Sequence, residues 1–188
     1  MKIVLLYVFL SVFLCLRPVW AEVEIAFTPS KDCEHKIVDL INKSEKNIDV
    51  AVYSINNDKI VDALKKAKFR NVTIRILTDR LQASGKYSKV IELRTSGLNI
   101  RVHTKNKIEH NKFAIFDGKV VSTGSFNWTN AASNKNSENC LFLLKDQKNI
   151  EIYQKRFETL WKENTQQKSE QWFEKRKNKD NERRNERQ

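Results

Sequence analysis

Apolar positions along this chain change period several times, and each change marks an element. "EIAF" (24–27) reads as a short strand. Over 29–44, Cys33, Ile37, Leu40 and Ile41 recur at helical spacing behind Ser30, a predicted N-cap. "NIDVAVYSI" (47–55) alternates and is rich in β-branched residues, which predicts a strand. "NNDKIVDALKKAK" (56–68) predicts a helix with an Asn cap and Ile60, Val61 and Leu64 on its buried side. A strand (71–79), a helix (88–97, with Gly97 past its end) and another strand (99–104) follow. This β-α-β-α-β-α-β rhythm predicts an α/β fold: a mixed, largely parallel β-sheet flanked by helices, in a single domain.

The rhythm then breaks. In "KFAIFDGKVVST", Asp117-Gly118 separates two apolar runs, a strong hairpin signal. "NCLFLL" (139–144) predicts one more strand, and "QKNIEIYQKRFETLWKEN" (147–164) an amphipathic helix. Residues 165–188 are Gln, Lys, Glu, Arg and Asn around one greasy island, "QWF" (171–173), so a frayed helix or disorder is expected for this polar basic tail.

The N-terminus has a different pattern. Lys2 precedes an apolar run from Ile3 to Leu16 broken only by Ser11, and Val19 and Ala21 place small residues two apart. That describes a secretory signal with cleavage after Ala21. A spanning helix needs roughly 20 apolar residues, but an uncleaved segment 1–21 would still tether the chain to a membrane. Leu14 is too bulky to make Cys15 a lipid attachment site. Either way an extracytoplasmic location is expected, in the periplasm or at the cell surface. The domain would then be 22–164. Export removes Cys15 and leaves Cys33 and Cys140. These two either pair in an oxidising compartment or serve as small buried hydrophobes, and the residues leave both readings open.

The formal charge is +12, unevenly distributed. Between Lys65 and Lys107 lie twelve Lys or Arg against two acids, Asp79 and Glu92. The run ends three residues before His110. A field of that sign concentrates polyanions and speeds their capture. A metal site is not expected, since three scattered histidines and two distant cysteines offer no ligand cluster at familiar spacing. Nor do the carboxylates group as magnesium requires. No cofactor is expected.

Candidate chemistry concentrates in "HNKFAIFDGKVVSTGSFNWT" (110–129). On a strand, His110 and Lys112 would share one face because side chains alternate. After the hairpin, Ser125 and Asn127 would share a face in turn. Imidazole, ammonium, hydroxyl and amide together suit a phosphoryl group: Lys and Asn meet its charged oxygens while His makes a bond or moves a proton. His35 and His103 have no such companions and read as satisfied surface groups. Phe126 and Trp128 read as core, with base stacking the alternative, and Tyr53 reads as packing at a strand end.

The spacing H-x-K-x4-D-x6-G-S-x-N, carried by His110, Lys112, Asp117, Gly124, Ser125 and Asn127, resembles the signature of the phospholipase D superfamily. The chain looks most like short bacterial members with one motif per chain, the metal-independent, EDTA-resistant endonucleases. "FTPS" (27–30), "AVYS" (51–54) and "NSEN" (136–139) extend the likeness over roughly residues 25–163. The resemblance implies a phospholipase D/nuclease fold and gives each residue a role. His110 would attack phosphorus. The second subunit's copy of that histidine would protonate the leaving oxygen and then activate water. Lys112 and Asn127 would bind phosphate oxygens with help from Ser125. Glu138 would hydrogen-bond the other imidazole nitrogen, fixing its tautomer. Asp117 resembles a motif aspartate that holds structure. One histidine per chain cannot stand on both sides of a phosphorus atom, so an isologous homodimer with one site across its axis is expected.

An exported nuclease acting on DNA, single-stranded or otherwise, or on RNA is therefore expected. The alternatives are a phospholipase D-type hydrolase of anionic phospholipid and a membrane-tethered DNA-binding protein without catalysis.

Overall fold

The computed structural model describes residues 21–186. The expected signal or anchor, all but Ala21, lies outside the described residues. Seven strands form one sheet: β1 (Glu22–Phe27), β2 (Asn47–Val52), β3 (Thr73–Asp79), β4 (Asn99–His103), β5 (Lys112–Phe116), β6 (Val120–Gly124) and β7 (Asn139–Leu144). Their order is β1-β7-β6-β5-β2-β3-β4. Helices α1 (Asp32–Lys43) and α2 (Asp58–Phe69) precede β2 and β3. Short α3 (Arg80–Ala83) and α4 (Val90–Thr95) lie between β3 and β4, and α5 (Asn130–Asn134) leads into β7. Two long helices close the chain, α6 (Gln147–Glu163) and α7 (Gln166–Asn185).

The mixed sheet flanked by helices is as expected, but it is less parallel than the sequence rhythm implies. Only β2–β3 and β3–β4 pair in parallel. The pairings of β1 with β7, β7 with β6, β6 with β5 and β5 with β2 are antiparallel. The reason is β1, which does not join its sequence neighbours. It crosses to the far edge and pairs with β7, setting Phe27 opposite Asn139.

Period-two alternation divides the core between the two faces. Ile48, Val50 and Val52 of β2, Ile74 and Ile76 of β3, and Ala114 and Phe116 of β5 pack with the buried sides of α1 and α2. Ala51, Leu77, Phe113, Ile115 and Val121 point the other way, against Phe157, Leu160 and Trp161 of α6. Cys33 on α1 and Cys140 on β7 are joined by a disulfide, with Cα atoms 5.9 Å apart. That resolves the two readings of the cysteines in favour of pairing. The α1 cap falls one residue later than predicted: Lys31 holds the cap position, while the Ser30 hydroxyl accepts from the Asp32 backbone N–H.

The tail departs from expectation. It forms a continuous helix, α7, because the greasy island is used: Phe173 is 6% exposed in the main core and Trp172 packs against that core. The Thr165 hydroxyl caps its start by accepting from Lys168 N–H. The Ser169 hydroxyl accepts from the backbone N–H of Val102, on edge strand β4.

Candidate active site

Both ends of the β5–β6 hairpin are polar, for different reasons. At the turn, Asp117 and Gly118 have φ of 52° and 64°, the left-handed pair that a two-residue hairpin requires. The Asp117 carboxylate accepts from the backbone N–H groups of Glu45, Lys46 and Asn47, fixing the hairpin to the start of β2. Burial opposes its charge, but the three N–H donors outweigh it and lower its pKa below the ordinary 3.8.

The opposite end holds the candidate chemistry. β5 begins at Lys112, so His110 stands just before the strand and is exposed, rather than on it. Pairing nevertheless continues outward, since Tyr53 N–H donates to the Asn111 carbonyl at 2.9 Å. Tyr53 gathers both reagents. Its ring lies edge-on to His110, with centroids 4.7 Å apart, and the Lys112 ammonium sits 5.1 Å from its centroid. Lys112 Nζ also donates to the His110 carbonyl at 2.7 Å. Burial lowers the Lys112 pKa, while Glu138 and then Glu109 act to raise it.

β6 ends at Gly124, whose φ of 133° and contact with the Asn139 carbonyl leave no room for a Cβ. Ser125 and Asn127 therefore lie beyond the strand, where the strand-face expectation does not apply. They reach the site through other bonds. Ser125 N–H donates to Asn139, and Ser125 Oγ donates to Glu138 Oε2 at 2.6 Å. Trp128 N–H donates to the Ser54 carbonyl, and Trp128 bridges to Ile55, which carries Asn127 up beside the Tyr53 segment. The Asn127 amide oxygen is buried without a hydrogen-bond partner. With the amide turned, that position would present an N–H donor to an anion.

Glu138 corrects the expected arrangement. Its carboxylate is engaged by Ser125 Oγ and by Asn136 Nδ2, not by the His110 ring. The landmarks "FTPS" and "NSEN" explain its place: Thr28 Oγ1 donates to the Asn136 carbonyl and accepts from Glu138 N–H, while Thr28 N–H donates to the Glu138 carbonyl. Among the described residues neither nitrogen of His110 has a hydrogen-bond partner.

Other residues of the site escaped the sequence. Tyr53 is not mere packing, and its hydroxyl accepts from Gln82 Nε2 at 2.9 Å. Buried Asp79 caps α3 by accepting from Leu81 and Gln82 N–H, and its second oxygen accepts from Glu109 N–H. Buried Glu109 in turn accepts from the backbone and side chain of Asn111, between His110 and Lys112. The only available signals were adjacency to His110 and the "AVYS" likeness. His103 is 1% exposed, not a surface group; both ring nitrogens lack hydrogen bonds, and Nε2 lies 3.6 Å from Glu109. Phe126 and Trp128 are core, as read.

The basic run 65–107 does not form one strip. Lys65, Arg75, Lys89, Arg94 and Lys105 pair with carboxylates, Arg75 with both Asp49 and Glu158. Arg70 and Arg101 donate to backbone carbonyls, Arg101 also stacking over Trp161. Lys66 and Lys68 sit near the C-terminus of α2, toward the edge away from His110. Arg80, Lys86 and Lys107 remain without acidic partners among the described residues; Arg80 opens α3 directly after Asp79, whose carboxylate holds the Glu109 backbone beside His110. No group of three or more His, Cys, Asp or Glu among the described residues could hold a metal ion.

Residues 37–161 match the family model described as "Cardiolipin synthase, PLD-like domain". The chain is 39% identical over 133 residues to a phospholipase D of Rickettsia prowazekii, covering 71% of this chain and 64% of that protein. It is 34% identical over 126 residues to a mitochondrial cardiolipin hydrolase of Chlamydomonas reinhardtii, covering 67% and 56%. The match thus spans less than two thirds of the length of these curated relatives. Nuc from Salmonella typhimurium, a phospholipase D family member, superimposes with a TM-score of 0.72 at 28% identity, covering 78% of this chain and 97% of that one. NucT from Helicobacter pylori shares the fold, with a TM-score of 0.70 at 22% identity over 75% and 96% of the two chains. Motif, sheet and relatives agree: this chain belongs to the phospholipase D superfamily of phosphodiesterases.

Proposed function

We propose that this chain is an exported endonuclease that hydrolyses nucleic-acid phosphodiesters without a metal, as a homodimer. The observation that carries the chemistry is the gathering of His110 and Lys112 around Tyr53, beside an Asn127 amide whose oxygen lacks a partner among the described residues. In the proposed reaction one His110 nitrogen attacks phosphorus and the bond to the leaving oxygen breaks. That oxygen takes its proton from the same histidine of the second subunit. The second histidine, now neutral, removes a proton from water, whose oxygen attacks the phosphorus of the phosphohistidine and breaks its P–N bond, freeing His110. Lys112 supplies the fixed positive charge, and Asn127 donates to a phosphate oxygen. Glu138 holds Ser125 in place and favours the charged form of Lys112.

Nucleic acid is favoured as substrate because Arg80, Lys86 and Lys107 carry no acidic partner among the described residues and His110 is exposed, and a polymer rewards spaced cations where a single headgroup does not. The names of the relatives favour a second reading, hydrolysis of anionic phospholipid. Purified protein lacking residues 1–21 decides between them when incubated in EDTA with labelled DNA and, separately, with cardiolipin vesicles. Cleavage of DNA alone supports the nuclease. Lipid turnover with intact DNA overturns it, and loss of all turnover on chelation overturns the metal-free mechanism.

A further inference from the structure

Between α7 and the segment joining α3 to α4 runs a groove of about 510 Å³. On one side it is lined by Ser84, Gly85, Ser88 and Ile91, and on the other by Trp172, Arg176 and Lys177 together with the acids Glu170 and Glu174. Its walls are fixed. Phe173 anchors α7 in the core, Arg94 pairs with Glu170 and stacks over Phe173 at 4.5 Å, and Ser169 accepts from β4.

The groove connects to the chemistry through the 82–89 segment, which is tied down at both ends. Gln82 donates to the hydroxyl of Tyr53, the residue against His110 and Lys112. Lys89 N–H donates to the Ile55 carbonyl, and Ile55 bridges to Trp128, next to Asn127. Residues 83–88 therefore arch along the rim of the active site, with the groove behind them. At the crest Tyr87 is 72% exposed and Lys86 Nζ lies 5.4 Å from the centre of its ring.

We infer that this groove is a substrate subsite for a single strand of nucleic acid, leading it from the cleavage point along α7; the inference rests on the proposed nuclease activity. The chemistry fits each part of a strand. Lys177 from the wall and Lys86 from the crest above it would meet phosphates, while exposed Tyr87 at the crest and half-buried Trp172 in the wall would offer π-surfaces to bases, which stack in a sequence-tolerant way. A groove of this size takes one strand and is too small for a duplex. The assignment also gives the C-terminal helix a role: α7 carries seven Lys or Arg and four Asp or Glu.

Tyr87→Ala combined with Lys177→Glu tests the inference, since both side chains are exposed and the fold does not depend on them. Wild type and variant are compared, in EDTA, on a single-stranded oligodeoxynucleotide of about 20 nucleotides and on bis(p-nitrophenyl) phosphate, a diester too small to reach the groove. The expected result is a KM for the oligonucleotide raised about tenfold, with its kcat and the turnover of the small diester unchanged. An unchanged oligonucleotide KM overturns the groove and leaves the nuclease reading standing. A wild type that turns over the small diester but not the oligonucleotide overturns the nuclease reading, and the groove with it. Dissociation of the variant's dimer in sedimentation would mark the surface as an interface between copies, and a selective loss of phospholipid turnover would mark it as a lipid site. Either of those also overturns the inference.

Discussion

The two ends of one hairpin teach opposite lessons. At the turn, Asp117 receives three backbone N–H groups and every oxygen is committed. At the other end, His110 is exposed without a hydrogen bond among the described residues, and the Asn127 amide oxygen is buried without one. Both ends belong to the same short motif. A polar group whose partners lie within its own chain holds structure; one left unsatisfied at a rigid edge is available to a ligand. The motif spends Asp117 on the first task and keeps His110 and Asn127 for the second.

That contrast is open to direct attack. Replacing His110 by Ala should lower phosphodiester hydrolysis by at least about 10³-fold while leaving the melting temperature unchanged, as an exposed group with no hydrogen bond requires. A large fall in Tm would make His110 structural and erase the contrast. Asp117→Ala should do the reverse, costing about 2–3 kcal/mol of stability by orphaning its donors, with cleavage per folded molecule retained; denaturant melts and active-site titration separate the two quantities. The same carboxyl predicts a pH effect of fixed sign. Its folded-state pKa is depressed, so its stabilisation is complete above the ordinary 3.8 and is lost as pH falls through the lower folded value. Melting curves should therefore show an acid-side loss that Asp117→Asn reduces. The smallest effect concerns Tyr53. Its ring, not its hydroxyl, touches both reagents, so Tyr53→Phe should stay within about twofold of wild-type kcat and Tyr53→Ala should fall about tenfold. Equal losses would transfer the role to the Gln82 hydrogen bond.

The difference between the two ends was only partly legible in the residues. Asp117-Gly118 declared a turn because few other dipeptides accept two positive φ angles. The spacing from His110 to Asn127 declared the chemistry for a similar reason: several polar types recur where a strand would bury apolar ones. Periodicity also located β2, β3, β5 and α2, whose neighbours are near in sequence. What stayed hidden depended on distant partners. β1 seeks β7 across most of the chain, and nothing in "EIAF" names that partner. Glu138 turns to Ser125 because Thr28, far back in the chain, fixes its backbone. The basic run misled for the same reason, since charge along a sequence does not say which cations already have carboxylates in space. Arg75 is the extreme instance, enclosed between Asp49 and Glu158 beneath α6.

The seat of Phe173 in the interior changes where this protein can be cut. By sequence, the border after residue 164 invites trimming, and a shortened fragment would look like the same catalyst with its surplus removed. Ending the chain there would instead unroof the β4 edge and pull an aromatic wedge from beneath α4, giving an insoluble product whose silence says nothing about its chemistry.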